Sequence, residues 1–190
     1  MTRNKITKIL VRTATVILIA TGAIVMNEQT TSAQMRELNP NSYMLPSQTE
    51  NYPNLNGINN LNILVSINKN RVYIRDGNQV IYTMYCSAGV TDPQTGHSTT
   101  PTGTFRIQSE RGDSFYNNDL QEGANDWTSF KNHGEYLFHS VPTNAYGQYK
   151  PEEAAKLGKE TGSHGCIRLS IPDAAWIKDN IPTGTPVTIE

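Results

Sequence analysis

Apolar and polar residues alternate along most of the chain after residue 60, and this alternation is typical of half-buried β-strands. Residues 61–67 (LNILVSI) follow it, and residues 135–140 (EYLFHS) are a short apolar run that predicts a strand ending in a histidine. The segment 71–87 follows it on both sides of Asp76 and Gly77, a dipeptide that favours the tight turn of a β-hairpin. Three further strands are predicted in TPTGTFRIQ (100–108), GCIRLS (165–170) and GTPVTIE (184–190).

Two short segments carry helical signals instead. KPEEAAKLG (150–158) has acidic residues early and a glycine at its end. SIPDAAWIKDN (170–180) begins with a serine and has an aspartate three residues later, the arrangement of a capping box. Residues 109–132 are polar and weakly patterned, so we expect a long loop there. We expect its aromatic residues Tyr116 and Trp127 to cover the sheet, and a place in the wall of a cleft is the alternative. The pattern predicts a mainly β domain with two short helices and excludes a helical bundle.

The first 33 residues differ from the rest. Residues 1–12 contain four basic residues and no acid, and residues 13–26 (TATVILIATGAIVM) are mostly apolar. A basic segment, a short apolar run and a small residue at Ala33 are typical of a secretory signal. The apolar run is shorter than the roughly 20 residues that a membrane-spanning helix needs. We therefore expect export with cleavage after Ala33, and an uncleaved N-terminal anchor is the alternative.

Residues 34–60 contain seven asparagines, three prolines and no apolar periodicity, a composition that predicts a flexible spacer. The folded domain is then expected over residues 61–190, which suffice for one modest core. Without residues 1–33 the chain keeps 12 basic and 16 acidic residues and has no basic stripe. We therefore expect no nucleic-acid partner.

The chain has two cysteines, Cys86 and Cys166, which are too few for a disulfide-dense scaffold. A single bridge between them stays open as an alternative in an exported protein. Zinc is a second alternative, because His164 and Cys166 at positions i and i+2 of a strand would share one face. No C-x-x-C or H-x-x-x-H spacing occurs, so we expect no metal site.

A cysteine attacks a carbonyl group only as a thiolate, so a catalytic cysteine needs a proton acceptor nearby. His139 ends one predicted strand and Cys166 opens another, so pairing of these strands would bring the two side chains together. Gly165 would let a substrate approach the backbone closely, and the N–H groups around it would stabilise an oxyanion. Ser140 would orient the imidazole through its carbonyl or hydroxyl. The alternatives are a small buried cysteine and a structural histidine.

The stretches SHGCIRLS, LFHSVP and TPTGTF together resemble the L,D-transpeptidase catalytic domain, the YkuD family. The family motif is a histidine, a spacer, Ser/Thr-His-Gly-Cys, an apolar residue and Asn or Arg, and here it runs from His139 to Arg168. The resemblance covers about residues 61–190. Between His139 and Ser163 lie 23 residues, more than the family's usual spacer. We interpret the excess, which contains YKPEEAAKLGKE, as a loop or lid over the site.

The resemblance implies an enzyme that is exported to the cell wall, has a β-sandwich-like domain and needs no cofactor. Such an enzyme cleaves the bond between the L-centre of a diamino acid and the terminal D-alanine of a peptidoglycan tetrapeptide stem. It passes the acyl group to an amine of a neighbouring stem and so forms a 3→3 cross-link. We expect peptidoglycan stem peptides as partners, a monomer, and no membrane contact beyond the N-terminal segment.

The resemblance also assigns roles to residues. Cys166 would be the nucleophile, and His139 would be the general base, oriented by the carbonyl oxygen of Ser140. Two alternatives remain. An L,D-carboxypeptidase would use the same residues with water as the acceptor, and a wall-binding module would keep the fold without turnover.

The remaining motif residues complete the expected site. The backbone amides of His164, Gly165 and Cys166 would form the oxyanion hole. The His164 side chain would shape the site rather than transfer protons. Ser163 and Arg168 are expected to bind substrate.

Overall fold

The computed structural model describes residues 34–190, and the predicted signal segment, residues 1–33, lies outside this range. The described part contains the strands β1 (Leu61–Ser66), β2 (Arg71–Asp76), β3 (Gln79–Ser87), β4 (Gly103–Arg106), β5 (Arg111–Asn117), β6 (Glu122–Lys131), β7 (Tyr136–Ser140), β8 (Ile167–Leu169) and β9 (Pro186–Ile189). It also contains α1 (Pro151–Ala154), α2 (Ile171–Asn180) and a 3₁₀ turn at Ser42–Met44. No helix between residues 34 and 190 is long and apolar enough to cross a membrane.

The strands form one sheet in the order β4-β9-β1-β2-β3-β8-β7-β6-β5. The long strand β3 belongs to both halves of the sheet, because residues 79–85 pair with β2 whereas Cys86 and Ser87 pair with β8. The sheet curls so that Phe105 of β4 packs against Phe130 of β6, with ring centres 5.7 Å apart. This curled, mainly β architecture with two α-helices confirms the predicted fold class.

The main core is built from alternate residues of the strands and from one side of α2. In β2, Val72 and Ile74 are fully buried and the residues on either side of each are only half-buried. Ala174 and Ile177 of α2 join the same buried cluster. Successive side chains of a strand point to opposite faces, so burial of one face imposes the alternation seen in the sequence. Burial of each such Val or Ile side chain stabilises the folded state by roughly 1.5–3 kcal/mol relative to leaving it exposed.

Residues 109–132, expected as a long loop, form a hairpin. Strands β5 and β6 pair antiparallel from Arg111 opposite Thr128 to Asn117 opposite Glu122. The loop prediction was wrong because β5 is an edge strand in which no residue is fully buried, so its sequence carries no alternation. The pairing depends on the backbone hydrogen bonds to β6, which any sequence can make.

Residues 34–60, for which the composition predicts a flexible spacer, pack against the sheet and α2 and belong to the same compact unit. The ring of Tyr52 stacks on Trp176, with ring centres 5.2 Å apart. Its hydroxyl donates to the carboxylate of Asp173 at 2.7 Å, and the Ser47 hydroxyl donates to the other oxygen at 2.5 Å. Burial raises the pKa of Asp173, and these hydrogen bonds oppose the rise. A few anchoring side chains order the segment, which composition does not reveal.

Candidate active site

A cleft of about 410 Å³ opens where β7 ends and β8 begins. The parallel pairing of these strands places His139 directly opposite Arg168, and Cys166 comes immediately before β8. The cleft is lined by the predicted site residues His139, Ser163, His164, Gly165, Cys166 and Arg168. Its other walls include Phe115, Leu120, Trp127, Glu135 and Tyr136. The fold therefore brings the predicted nucleophile and base into one cavity.

The imidazole of His139 is held in one tautomer. Its Nδ1 lies 2.6 Å from the carbonyl oxygen of Ser140. Because a carbonyl oxygen only accepts, Nδ1 carries the hydrogen and Nε2 keeps its lone pair. Phe115 packs edge-on against the ring at 5.6 Å. Burial lowers the pKa of His139 to about 4, with the Ser140 carbonyl opposing the shift and the Arg168 cation adding to it. At neutral pH the imidazole is an uncharged base.

The thiol of Cys166 is also uncharged at neutral pH. Burial raises its pKa to about 11, which the N–H of Leu137 and the Arg168 cation oppose and the Glu135 carboxylate reinforces. The residue as a whole remains half-exposed to the cleft. Its Sγ donates a weak hydrogen bond to the carbonyl oxygen of Glu135 at 3.6 Å. The pair at rest is therefore a thiol and a neutral imidazole.

The two cysteines are free thiols in the structure, so the Cys86–Cys166 bridge that the sequence left open is not formed. Cys86 is fully buried in β3, where it pairs with Leu169 of β8. Burial raises the pKa of its thiol to about 12. Within residues 34–190 no group of three histidine, cysteine or acidic side chains is arranged to hold a metal ion.

The turn before Cys166 is fixed by Ser163. Its hydroxyl donates to the carbonyl oxygen of Cys166 at 2.5 Å and accepts from the N–H of Gly165 at 3.0 Å. Ser163, expected to contact substrate, is thus a buried residue that shapes the turn. The N–H of Gly165 donates to the Ser163 hydroxyl and does not point to an oxyanion. Of the three amides expected in the oxyanion hole, those of His164 and Cys166 remain candidates.

Gly165 is required for a conformational reason as well. Its φ of +142° lies in the region that side chains disfavour, and a Cβ there would be 2.9 Å from Cε1 of Tyr136. Thr100 holds the same residue from the other side. Its buried hydroxyl donates to the carbonyl oxygen of Gly165 at 2.8 Å and accepts from the N–H of Gly89 at 2.7 Å. In the sequence Thr100 was only the first residue of a predicted strand. Its hydrogen bonds to Gly165 and Gly89 have no sequence motif that predicts them.

Arg168, expected to bind substrate, is instead the centre of a buried ion-pair network. Only 2% of its side chain is exposed. Its guanidinium donates to Glu122 of β6 at 2.7 Å, to Glu153 of α1 at 2.6 Å and to the carbonyl oxygen of Gly162 at 2.8 Å. Both carboxylates also bind lysines. The arginine therefore ties the hairpin and α1 to the strand that carries the cysteine.

Replacement of Arg168 by methionine is expected to lower the free energy of unfolding by about 3 kcal/mol, because two partly buried carboxylates lose the buried guanidinium that joins them and each keeps only one lysine. Urea denaturation monitored by tryptophan fluorescence measures the change. Arg106→Met, which removes an exposed arginine, is the matched control and should cost under about 1 kcal/mol. A loss for Arg168→Met no larger than that of the control would contradict a structural role for the network.

The 23 residues between His139 and Ser163 contain the predicted helix, α1, but do not form a lid. Of them, only Pro142 lines the cleft. Ala154 and Leu157 are buried in a small cluster with Tyr85 of β3 and Val141, so the segment packs against β3 rather than over the cleft. By contrast, Trp127, expected to cover the sheet, lines the cleft, and the side chain of His164 is exposed at its mouth.

Comparison with known sequences agrees with the motif. The family model YkuD, described as the L,D-transpeptidase catalytic domain, matches residues 61–189. A curated protein of Bacillus subtilis (strain 168), named "Putative L,D-transpeptidase YciB", is 49% identical over 125 residues, which are 66% of this chain and 63% of that protein. This chain therefore spans less than two thirds of that relative's length.

Solved structures share the fold. An L,D-transpeptidase from Mycobacterium smegmatis superposes with a TM-score of 0.53 at 21% identity, over 69% of this chain and 58% of that one. L,D-transpeptidase 3 from Mycobacterium tuberculosis, in complex with a faropenem-derived adduct, gives 0.50 at 23% identity, over 69% and 60%. At these identities the likeness concerns the fold alone.

Proposed function

Because the chain belongs to the YkuD family of L,D-transpeptidase catalytic domains, we propose that it transfers acyl groups from peptidoglycan tetrapeptide stems through a thioester on Cys166. The observation that supports this most directly is the arrangement of the cleft. A cysteine lines it beside a histidine whose Nδ1 is bound to the Ser140 carbonyl, so that Nε2 is the basic nitrogen. This supplies a nucleophile and an uncharged base in one cavity.

In the first half-reaction, Sγ of Cys166 attacks the carbonyl carbon of the diamino acid, while Nε2 of His139 takes the thiol proton. Proton transfer accompanies the attack, because a pKa of about 11 for the thiol and about 4 for the imidazole disfavour a resting ion pair. The N–H groups of His164 and Cys166 stabilise the oxyanion. Collapse breaks the C–N bond, and the imidazolium gives its proton to the departing D-alanine.

In the second half-reaction, an amine of a neighbouring stem attacks the thioester carbon and the thiol is restored. The product is a 3→3 cross-link. Attack by water instead would give net L,D-carboxypeptidase activity from the same residues. We further propose that the protein works as a monomer in the cell wall, reached through export directed by residues 1–33.

Product analysis tests this function. The purified protein is incubated with a disaccharide-tetrapeptide, and the muropeptides are identified by mass spectrometry. A cross-linked dimer lacking one D-alanine is expected. Tripeptide monomer alone would move the assignment to an L,D-carboxypeptidase. No product from stems with either common diamino acid would contradict the proposal and favour a wall-binding module.

A further inference from the structure

The cleft is lined by two carboxylates that differ in their partners. Glu122 is bound by Arg168 at 2.7 Å and by Lys150 at 3.0 Å. Glu135 is exposed, and no lysine, arginine or histidine within residues 34–190 forms an ion pair with it. Its Oε2 accepts one hydrogen bond from Asn132 at 2.7 Å. Glu135 therefore brings to the cleft a negative charge with which no cation among residues 34–190 forms an ion pair.

The residue that carries this charge contacts the reacting sulfur through its backbone. The backbone oxygen of Glu135 is 3.6 Å from Sγ of Cys166, and its carboxylate helps to raise the pKa of both that thiol and the Tyr136 phenol. Lys131, four residues before Glu135, lies over the Tyr136 ring, 4.8 Å from its centre.

A carboxylate beside the sulfur opposes the formation of negative charge on that sulfur. It therefore works against the first half-reaction. The same carboxylate favours any positively charged group that enters the cleft. Of the groups in the proposed reaction, the incoming amine of the acceptor stem is cationic at neutral pH and must reach this sulfur.

We propose that Glu135 binds the ammonium group of the acceptor stem beside the thioester and thereby sets the ratio of amine attack to water attack. The inference rests on the proposed function, because the acceptor reacts only with a thioester on Cys166. We assign the acceptor amine rather than the donor's own side-chain amine. The attacking nitrogen has to come within bonding distance of the thioester carbon, whereas the donor's amine is several bonds away from it.

The step balances without a further reactant. The bound ammonium gives one proton to Nε2 of His139, and the freed lone pair attacks the thioester carbon. The C–N bond forms and the C–S bond breaks. Sulfur leaves with the second proton of the nitrogen, which restores the Cys166 thiol, and His139 passes its proton to water. Glu135 takes up no proton in this step, and of the reacting groups its carboxylate contacts only the ammonium.

The variant Glu135→Gln tests the inference, since it removes the charge and keeps an oxygen for Asn132. Thioester formation is measured first, by intact-mass spectrometry without an acceptor, and partitioning is measured afterwards with acceptor stem. We expect the thioester to form faster. We expect the acceptor KM to rise about fivefold, the usual scale of an exposed ion pair, and the amine-to-water product ratio to fall by the same factor. Damage to the fold would slow both half-reactions.

Three controls distinguish the loss of the Glu135 charge from other effects of the substitution. Hydroxylamine, which is uncharged at neutral pH, should cleave the thioester of Glu135→Gln as well as it cleaves that of the unmodified protein. Glu135→Asp should restore part of the acceptor affinity. Glu152→Gln removes an exposed carboxylate of α1 outside the cleft and should change neither half-reaction.

An unchanged acceptor KM in Glu135→Gln, with the thioester still forming, would overturn this inference and leave the proposed function standing. An equal loss with hydroxylamine would also overturn it. If the unmodified protein forms no thioester at all, the inference and the proposed function both fail, and the first measurement separates this outcome from the others.

Discussion

Replacement of Cys166 by alanine is expected to abolish both D-alanine release and cross-linked product, a loss of about 10⁴-fold or more. The proposed reaction passes through a thioester, and Cys166 is the only cysteine among residues 34–190 that lines the cleft. Cys86 is fully buried in β3 and does not line the cleft. Free D-alanine and muropeptide products measure the loss.

The matched control is Cys86→Ala, which removes the other thiol. It should keep turnover and lose only a modest part of the free energy of unfolding, because a small buried side chain is shortened. Product formation by Cys166→Ala at a rate close to that of the control would show that the cysteine is not the nucleophile.

Replacement of His139 by glutamine is expected to slow thioester formation by about 10²–10⁴-fold. Glutamine keeps a donor for the Ser140 carbonyl but supplies no base of suitable strength. Stopped-time intact-mass measurements give the acylation rate directly. A variant that is folded by circular dichroism and acylates at the unmodified rate would contradict the role of His139 as general base.

The pH dependence of the unmodified protein adds a second test of the same residue. The base must be unprotonated, and burial lowers the pKa of His139 to about 4. The acid limb of kcat/KM should therefore fall as the pH drops through about 4, rather than near the ordinary histidine pKa of about 6.5. An acid limb near pH 6.5 would mean that the working histidine is more exposed than the structure shows.

The sequence predicted the elements whose patterns arise from burial. Strand β2 alternates because one face lies in the core, β7 is a short apolar run because both its faces are buried, and α2 begins as its serine predicts, with the Ser170 hydroxyl accepting from the N–H of Asp173. The edge strand β5 could not be predicted in this way, since it buries no face. The packing of residues 34–60 could not be predicted either, because side chains such as Ser47 and Tyr52 anchor an otherwise polar segment.

The site residues also divide into those that could be predicted from the sequence and those that could not. Cys166 and His139 could be predicted because their chemistry is rare and their motif is compact. The roles of Thr100 and Arg168 could not, because each depends on partners distant in sequence: Gly89 and Gly165 for the threonine, and Glu122 for the arginine. A side chain's partners decide whether it contacts substrate or shapes the turn, and local sequence does not contain them.

Intact-mass spectrometry of the protein after brief exposure to a tetrapeptide stem is the most direct test of covalent catalysis by Cys166. The expected result is a mass increase equal to the stem acyl group without its terminal D-alanine, located on Cys166 after proteolysis and removed by hydroxylamine. Turnover without such an adduct, or an adduct on any other residue, would contradict a thioester mechanism at this cysteine.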